Sequence, residues 1–410
     1  MSRGSARDLA DSGSDIVAVF VRWTWSRAML HNGWWLVTSV YLVVDARLSA
    51  AELVWVGALQ GITGLVCEVP AGVVADTISR KWSLVVSHVL MGTAMVATAL
   101  VTDFWAVAAT QMLWGLSWTF ASGSDVAWVT DELADPERTP GVLVRAGRAQ
   151  LTGSAAGMTV LGLLATVTDR RTAMVAAGGA MLLLGGYVVY RFREERFVPT
   201  RTDRWSASWA IVRRGSALVR GSRVILIVFA ATFLVNGAAD AFARLYPQRL
   251  FAAGFPSEPL LWFTALGVVT LVVGAGALRV VEARVHEGRA ARRGYVWACA
   301  AGAFGLAVLA VAPDGVTASA AVLLIAGTAL PLTRTIGMIW VNQRTTGDVR
   351  ATVHSFLAQA EYLGEILCGA VLAGVAAAAG LPYALACCGV LFAVTAYLIG
   401  RPAPAETTGK

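Results

Sequence analysis

The sequence predicts an all-α integral membrane protein with twelve transmembrane helices in two bundles of six. Composition gives the first reason: 57% of the 410 residues are hydrophobic and 14% are charged, whereas soluble domains average about 25% charged residues. The apolar residues also fall into twelve stretches, and about 20 such residues cross roughly 30 Å of hydrocarbon. Finally, a basic segment after the sixth stretch divides the chain into two halves.

The predicted spans follow one another through short connections. They cover residues 16–44, 53–75, 82–101, 104–126, 143–168, 172–191, 223–246, 259–281, 294–312, 318–341, 352–376 and 380–400. The first is polar enough to be tilted or broken, and only the tight turn 168–171 separates the fifth from the sixth. Ser49 and Glu52 have the spacing of a capping box that opens the second helix. Ser257 is the expected N-cap of the eighth helix.

These spans predict five segments along the chain. They are a cytoplasmic N-terminal tail (1–15), an N-terminal six-helix bundle (16–191), a cytoplasmic linker (192–222), a C-terminal six-helix bundle (223–400) and a cytoplasmic tail (401–410). Basic residues in the linker alternate with Trp205 and Trp209 at near-helical spacing. This pattern favours an amphipathic helix on the membrane surface. A disordered basic linker is the alternative.

The distribution of positive charge predicts the orientation. With both termini inside, 25 of the 33 Lys and Arg residues fall on the inner side and 4 fall in outer loops. Because cytoplasmic loops carry the excess of Lys and Arg, both termini are predicted to be cytoplasmic, in a multi-pass protein of the cell membrane. The net charge of +7 therefore does not indicate a nucleic-acid partner. The five cysteines lack metal-ligand spacing, so neither a metal nor another cofactor is expected.

The loop after the second span carries the strongest motif. Residues 72–81 read Gly-Val-Val-Ala-Asp-Thr-Ile-Ser-Arg-Lys. This stretch resembles the loop signature of the major facilitator superfamily: Gly-x-x-x-Asp, a basic residue, x, Gly, Arg and a second basic residue. Thr77 and Ser79 depart from that pattern. Together with the six-and-six topology, the resemblance covers essentially the whole chain and implies the superfamily's two pseudo-symmetric bundles.

By the same resemblance, four residues would form a conformational latch on the inner side. Gly72 would allow close helix approach, and Asp76 would accept hydrogen bonds from a neighbouring helix N-terminus. Arg80 would pair with Asp125 at the inner end of the fourth span. Such a latch stabilises one conformation without touching substrate.

Two further signatures of the family are incomplete. Gln111 stands where the fourth span often carries an arginine. In the fifth span, the Gly-Pro-x-x-Gly-Gly motif of drug–proton antiporters is replaced by a stretch from Gly157 to Gly162 without the proline. Gly153, four residues before Gly157, keeps a small-residue packing face. Residues 348–355 resemble drug-efflux-like members. The resemblance thus favours the drug:proton antiporter-type branch, although the missing proline weakens the indication of export.

Ionisable side chains inside the spans are candidates for function, because lipid makes them costly unless they are paired or face a cavity. The candidates for proton coupling are Glu68, Arg27, Asp240, Arg244, Arg334, Glu361 and Glu365. At about 1.5 Å of rise per residue, Arg27 and Glu68 lie at similar depths on adjacent helices. We expect these two to pair, with Arg22 or His31 as rival partners.

The C-terminal half contains the remaining charged groups. Arg334 and Glu361 lie at similar depth on the tenth and eleventh helices, and Glu361 shares a helix face with Glu365. Two nearby carboxylates in low dielectric resist joint ionisation, so one of them would hold a proton. Asp240 and Arg244 form an acid–base pair at four-residue spacing. Ion pairs that only fix helix packing are the alternative for these groups.

Four residues are candidates for a substrate cavity: Asn32, His31, Trp114 and Trp118. Aromatic walls suit lipophilic or cationic molecules. Anchoring at the membrane interface is the alternative for the tryptophans, and a structural hydrogen bond is the alternative for His31.

Together these features imply a secondary active transporter that exports small amphipathic organic molecules or antibiotics by proton antiport with alternating access. The expected partners are a small-molecule substrate, protons and the lipid bilayer, and we expect a monomer. A proton-coupled importer of a small metabolite is the first alternative, and a membrane-embedded receptor or enzyme is the second. Neither a zinc-protease histidine motif nor a phosphate-binding Gly-rich loop occurs in the sequence, so enzymatic activity is not expected.

Overall fold

Helices account for every regular element in the part of the chain that the computed structural model describes, which comprises residues 3–199, 223–255, 258–282, 288–344 and 347–401. In chain order they are α1 (Arg3–Val44), α2 (Ala50–Thr77), α3 (Arg80–Leu100), α4 (Phe104–Ala121), α5 (Ser124–Leu133), α6 (Thr139–Val167), α7 (Arg170–Arg191), α8 (Arg223–Ala253), α9 (Pro259–Glu282), α10 (Gly288–Val311), α11 (Gly315–Leu324), α12 (Leu330–Arg344), α13 (Gly347–Ala379) and α14 (Leu381–Gly400). A π-helical turn, Ile325–Ala329, joins α11 to α12.

Helical segments cover all twelve predicted spans within the described residues. By length and hydropathy, ten of these segments qualify as membrane-crossing. The other two are α1, which carries arginines, and α4, which is rich in tryptophan. Large apolar side chains point outward: Leu183 is 78% exposed and Trp297 is 74% exposed. Lipid is the medium that such a surface requires, so the predicted all-α membrane fold is confirmed.

The helices group into two compact units. The first comprises Met1–Leu48, Leu59–Trp205 and Glu258–Val268, and the second comprises Ser49–Ala58, Ser206–Ser257 and Val269–Lys410. Each unit has its own tightly packed helix pairs.

In the first unit, α1 and α6 pack backbone to backbone. A Cβ added to Gly153 would overlap the carbonyl group of Trp25, and one added to Gly157 would overlap that of Met29. The small-residue face predicted for this helix is therefore confirmed. Small residues at these positions let the two backbones approach without a side chain between them.

In the second unit, α8 and α13 pack in the same way. A Cβ on Gly364 would overlap the carbonyl oxygen of Phe233, and a Cβ on Gly237 would meet the carbonyl oxygen of Gly364. This approach brings the acidic and basic groups of the two helices onto facing surfaces.

The helix ends follow the local signals in the sequence. At the start of α2, the Ser49 N–H donates to the Glu52 carboxylate at 2.8 Å and the Glu52 N–H donates to the Ser49 hydroxyl at 3.3 Å, which confirms the capping box. Between α6 and α7, Asp169 accepts hydrogen bonds from the hydroxyl and N–H of Thr172, and these bonds lower the pKa of Asp169. The N-cap predicted at Ser257 lies outside the described residues.

Three spans differ from their predicted form. The first is not broken, since α1 is continuous from Arg3 to Val44. The fourth ends at Ala121, because Gly123 adopts a left-handed conformation (φ 72°) and starts the separate helix α5. The tenth is interrupted by the π-helical turn, in which the Leu330 N–H bonds to the Ile325 carbonyl. Positions 200–222 of the predicted linker and 402–410 of the predicted tail lie outside the described residues.

Candidate functional site

An aromatic cluster joins α1 to α4 in the first unit. The His31 ring stacks on Trp114, with centroids 5.3 Å apart and planes at 13°, and meets Trp118 edge-on at 5.1 Å. The Arg27 guanidinium lies 4.7 Å from the centre of the Trp118 ring. Residues four apart on a helix share a face, so each helix presents two of these side chains to the other. Asn32 instead donates to the Ala28 carbonyl within α1, at 3.0 Å.

Four polar atoms of this cluster are buried without a hydrogen-bond partner among the described residues: Arg27 Nη2, His31 Nδ1, Trp114 Nε1 and Trp118 Nε1. A buried polar group without a partner is destabilising by about 1–3 kcal/mol. Three of the four atoms can only donate hydrogen bonds. The cluster, which we call the aromatic donor cluster, therefore suits a flat ligand that presents hydrogen-bond acceptors.

Arg27 forms an ion pair with Asp125, at 3.9 Å, where the sequence predicts Glu68 as its partner. The left-handed turn at Gly123 explains the difference. Because α4 ends before this turn, Asp125 lies in the first turn of α5 and not on α4. Glu68 lies half-buried on α2.

The ion pairs of Arg80 also involve a different acid from the predicted one. Arg80 forms ion pairs with Asp131 and, at 3.6 Å, with Asp76. It also donates to the Ala127 carbonyl at 2.9 Å. The predicted Arg80–Asp125 pair is therefore wrong. Positions 127 and 131 share a face of α5, so this helix presents a carbonyl group and a carboxylate together to Arg80.

The close helix approach predicted at Gly72 is not seen either. Apart from its chain neighbours and the backbone of its own helix, no described atom lies within 4 Å of a Cβ built at Gly72. Close approaches do occur elsewhere in the first unit, for example at Gly153 and Gly157, where the backbones of α1 and α6 touch.

Sequence reasoning missed the acid that caps α3. The Glu194 carboxylate accepts hydrogen bonds from the N–H groups of Arg80 at 2.8 Å and Lys81 at 3.1 Å, and from the Ser79 hydroxyl. A carboxylate is favoured at this position by the helix dipole. Because Glu194 is 114 residues from Arg80, no local spacing could have identified it.

A second acid, Glu132 on α5, holds the segment that follows α7. Its carboxylate accepts hydrogen bonds from the N–H groups of Glu195 at 3.0 Å and Arg196 at 2.9 Å. Burial raises the pKa of Glu132, although the two hydrogen bonds act in the opposite direction. Together, Glu132 and Glu194 tie residues 194–196 to α5 and α3.

In the second unit, Arg334 and Glu361 line one cavity of about 310 Å³. Within the described residues no ion pair joins the two side chains; both face the cavity. Asn236 and Tyr295 are polar lining residues that sequence reasoning missed. The buried Trp340 Nε1, also in the lining, has no hydrogen-bond partner among the described residues. The cavity therefore combines opposite charges with neutral polar groups.

Asp240, Arg244 and Glu365 are the other charged residues predicted for coupling in the second unit, and they lie on α8 and α13. Arg244 and Asp240 form the predicted ion pair, at 3.0 Å, and Arg244 is 7% exposed. A Cβ on Gly57 would overlap both side chains. Glu365 lies close enough to both of them, and to Glu361, to interact electrostatically. The acids of α8 and α13 thus form a continuous group that reaches the cavity.

The π-helical turn ends five residues before Arg334 and gives the tenth span an irregular backbone just before the residues that line the cavity. Pro331 has no N–H and cannot donate the regular helical hydrogen bond, and the wider turn directly precedes it. Such turns are frequent at functional sites. Leu330 and Thr333, which follow the turn, also line the cavity.

Comparison with known proteins decides the family. A family model described as the Major Facilitator Superfamily matches residues 25–369. The chain belongs to this superfamily. Among curated proteins, none matches the sequence. Its superfamily membership makes the protein a multi-pass secondary transporter that binds small molecules, and not an enzyme.

Solved structures of superfamily transporters resemble the protein over almost its full length. A variant of the nucleoside transporter NupG has 14% identity and a TM-score of 0.77, with 94% of this chain and 99% of that chain covered. A D-xylose–proton symporter has 15% identity and a TM-score of 0.68, with 97% and 98% covered. The POT family transporter PepTSo has 11% identity and a TM-score of 0.73, with 94% and 97% covered. Identities this low establish the fold alone.

Proposed function

We propose that this superfamily member exports small amphipathic organic molecules, antibiotics among them, in exchange for protons. The observation that carries the substrate class is the aromatic donor cluster. The rings of His31, Trp114 and Trp118 would supply an apolar wall for a flat molecule, and the unpartnered donors Arg27 Nη2 and Trp118 Nε1 would favour one with acceptor groups. Because a guanidinium lies in the cluster, neutral or anionic substrates fit it better than cations.

The coupling site is proposed to be the cavity of the second unit. Glu361 faces this cavity together with Arg334, and its carboxylate has no ion-pair partner within the described residues. A proton bound to Glu361 changes the charge balance with Arg334, and the neighbouring Glu365 extends the acidic group toward Asp240. Intramembrane acids that face a cavity are typical proton carriers. Glu68 is proposed as a second coupling group on α2.

The driving force is sufficient for export. Moving one charge through 100 mV supplies about 2.3 kcal/mol, which corresponds to a concentration ratio of roughly fifty. Alternating access would expose the cavity in turn to each side. We propose that Arg80 and Asp131, with Asp76, stabilise one of the two conformations as an inner latch.

The test uses purified protein in proteoliposomes with a fluorescent amphipathic substrate. We expect Glu361→Gln to abolish accumulation driven by a proton gradient while substrate exchange without a gradient persists. Glu137→Gln, the same change at an exposed position, should leave both activities unchanged. Full gradient-driven accumulation by both Glu361→Gln and Glu68→Gln would refute the coupling role.

Import is the second candidate. The incomplete fifth-span signature supports it, as does the fold shared with a D-xylose–proton symporter. Energised everted vesicles separate the two directions, because accumulation inside them means export and depletion means import.

The proposal also includes the orientation, the location and the oligomeric state. The excess of Lys and Arg on one side supports cytoplasmic termini in the cell membrane, and we propose a monomer. Labelling of single cysteines introduced before α1 and after α14 in intact cells tests the orientation. Modification of both by a membrane-impermeant reagent would contradict it.

A further inference from the structure

A groove between α1, α6 and α7 in the first unit has a composition that the transport proposal does not explain. It measures about 620 Å³. Its basic lining residues are Arg22, Arg145 and Arg148, and its apolar wall includes Trp25 and Leu184. The groove therefore offers three positive charges beside an apolar surface.

Among the described residues, the three arginines have no acidic partners. Some other arginines of this unit do have such partners: Arg27 pairs with Asp125 at 3.9 Å and Arg191 pairs with Asp15 at 3.2 Å. For the groove arginines, no carboxylate lies within ion-pair distance in the described part of the chain, and all three are exposed. Positive charges grouped on one groove without compensation attract an anion.

A fourth polar group points to a ligand. Tyr187 lines the groove, and its hydroxyl oxygen is buried without a hydrogen-bond partner among the described residues. Buried hydroxyls normally have a partner. An anion that accepts hydrogen bonds from Tyr187 and from the guanidinium groups would supply it.

The position of the groove suits a lipid headgroup. Arg145 and Arg148 lie about 9 and 14 Å from the start of α6, and Tyr187 lies about 6 Å from the end of α7, at 1.5 Å per residue. Because α6 and α7 are joined by a tight turn, the start of one and the end of the other lie at the same end of the unit. Neighbouring Leu151 and Leu183 are 47% and 78% exposed, so lipid surrounds the groove.

We propose that this groove binds an anionic phospholipid. Its phosphate lies among Arg22, Arg145 and Arg148 and accepts a hydrogen bond from Tyr187, while an acyl chain follows the apolar wall. Guanidinium groups recognise phosphate by charge-assisted hydrogen bonds.

The full chain in dodecyl maltoside micelles is titrated with phosphatidylglycerol or phosphatidylcholine, and retained lipid is counted by native mass spectrometry. We expect phosphatidylglycerol to bind at least tenfold more tightly, and the double variant Arg145→Ala, Arg148→Ala to lose that preference. The matched control, Arg138→Ala with Arg193→Ala, removes the same charge at exposed positions outside the groove and should retain it. Tyr187→Phe, which keeps the ring, should weaken phosphatidylglycerol binding alone.

Three results would overturn the proposal. One is equal retention of the two lipids by the unaltered protein. Another is an equal loss of the preference in the control variant, which would show that net charge alone matters. The third is displacement of phosphatidylglycerol by millimolar inorganic phosphate, which would make the groove a site for soluble anions. If the double variant fails to fold, Tyr187→Phe provides the test. Unchanged phosphatidylglycerol binding by Tyr187→Phe would overturn the proposed contact between the phosphate and the Tyr187 hydroxyl.

Discussion

The partner of Arg80 can be tested by a double-mutant cycle, because the sequence motif and the structure assign different acids to it. The structure pairs Arg80 with Asp131, whose side chains are 18% and 33% exposed. Exposed ion pairs contribute about 0.2–1 kcal/mol, and removing one member of a buried pair is destabilising by about 3–5 kcal/mol. For this half-buried pair, after allowance for solvent screening, we expect a coupling energy of about 1–2 kcal/mol.

The cycle combines Arg80→Gln with Asp131→Asn and, as the control, with Asp125→Asn. Asp125 pairs with Arg27 and has no described contact with Arg80, so its coupling to Arg80 should stay within the additivity error of about 0.3–0.5 kcal/mol. Unfolding free energies are measured by circular dichroism in mixed dodecyl maltoside–SDS micelles. Both cycles include Arg80→Gln, so the loss of the Arg80 hydrogen bond to the Ala127 carbonyl cancels from the coupling energy in each. A coupling to Asp125 as large as the coupling to Asp131 would refute the assignment.

Three further predictions concern stability, each read from unfolding in the same mixed micelles. Gly157→Val should destabilise the protein by more than about 2 kcal/mol, because the side chain must displace main-chain atoms of α1. Gly141→Val is the control on the same helix and should have little effect on stability, because no described atom outside α6 lies within 4 Å of that position. Equal losses of unfolding free energy in the two variants would contradict the close packing at Gly157. Arg249→Met should lower the free energy of unfolding by about 1.5–3 kcal/mol, because Arg249 donates hydrogen bonds to carbonyl groups at the end of α10. Arg279→Met, the same change at an exposed position, should have little effect. Folding lowers the pKa of Asp169 below its unfolded value of 3.8. The stabilisation by this carboxylate is therefore present above pH 3.8 and is lost as the pH falls through the pKa of the folded state. A Tm difference between the unaltered protein and Asp169→Ala that grows in acid would contradict this.

The aromatic donor cluster and the cavity of the second unit differ in their chemistry. The cluster contains one arginine and one histidine among tryptophans, and its unpartnered atoms are mainly donors. The cavity contains an acid and a base that do not pair directly, with further acids behind them. We therefore propose substrate recognition in the first unit and proton binding in the second.

Local and compositional features were predictable from the sequence. Twelve apolar stretches and the distribution of charge gave the all-α membrane fold, because the cost of exposing a backbone to lipid leaves helices as the solution. The capping box at Ser49, the turn at Asp169 and the four-residue Asp240–Arg244 pair were also predictable. Each depends on neighbours within one helical turn, whose geometry the backbone fixes.

Only the tertiary structure decided which distant groups meet. The Arg80–Asp131 pair, the Arg27–Asp125 pair and the capping of α3 by Glu194 join residues that lie 51, 98 and 114 positions apart. The left-handed residue Gly123 ends the fourth span and starts the separate helix α5. On α5, Asp125 pairs with Arg27, and Asp131 takes the place predicted for Asp125 beside Arg80. Hydropathy determines that a segment crosses the membrane, but the rotation of each helix about its axis depends on packing against its neighbours. In this protein that rotation determines which charges face each other.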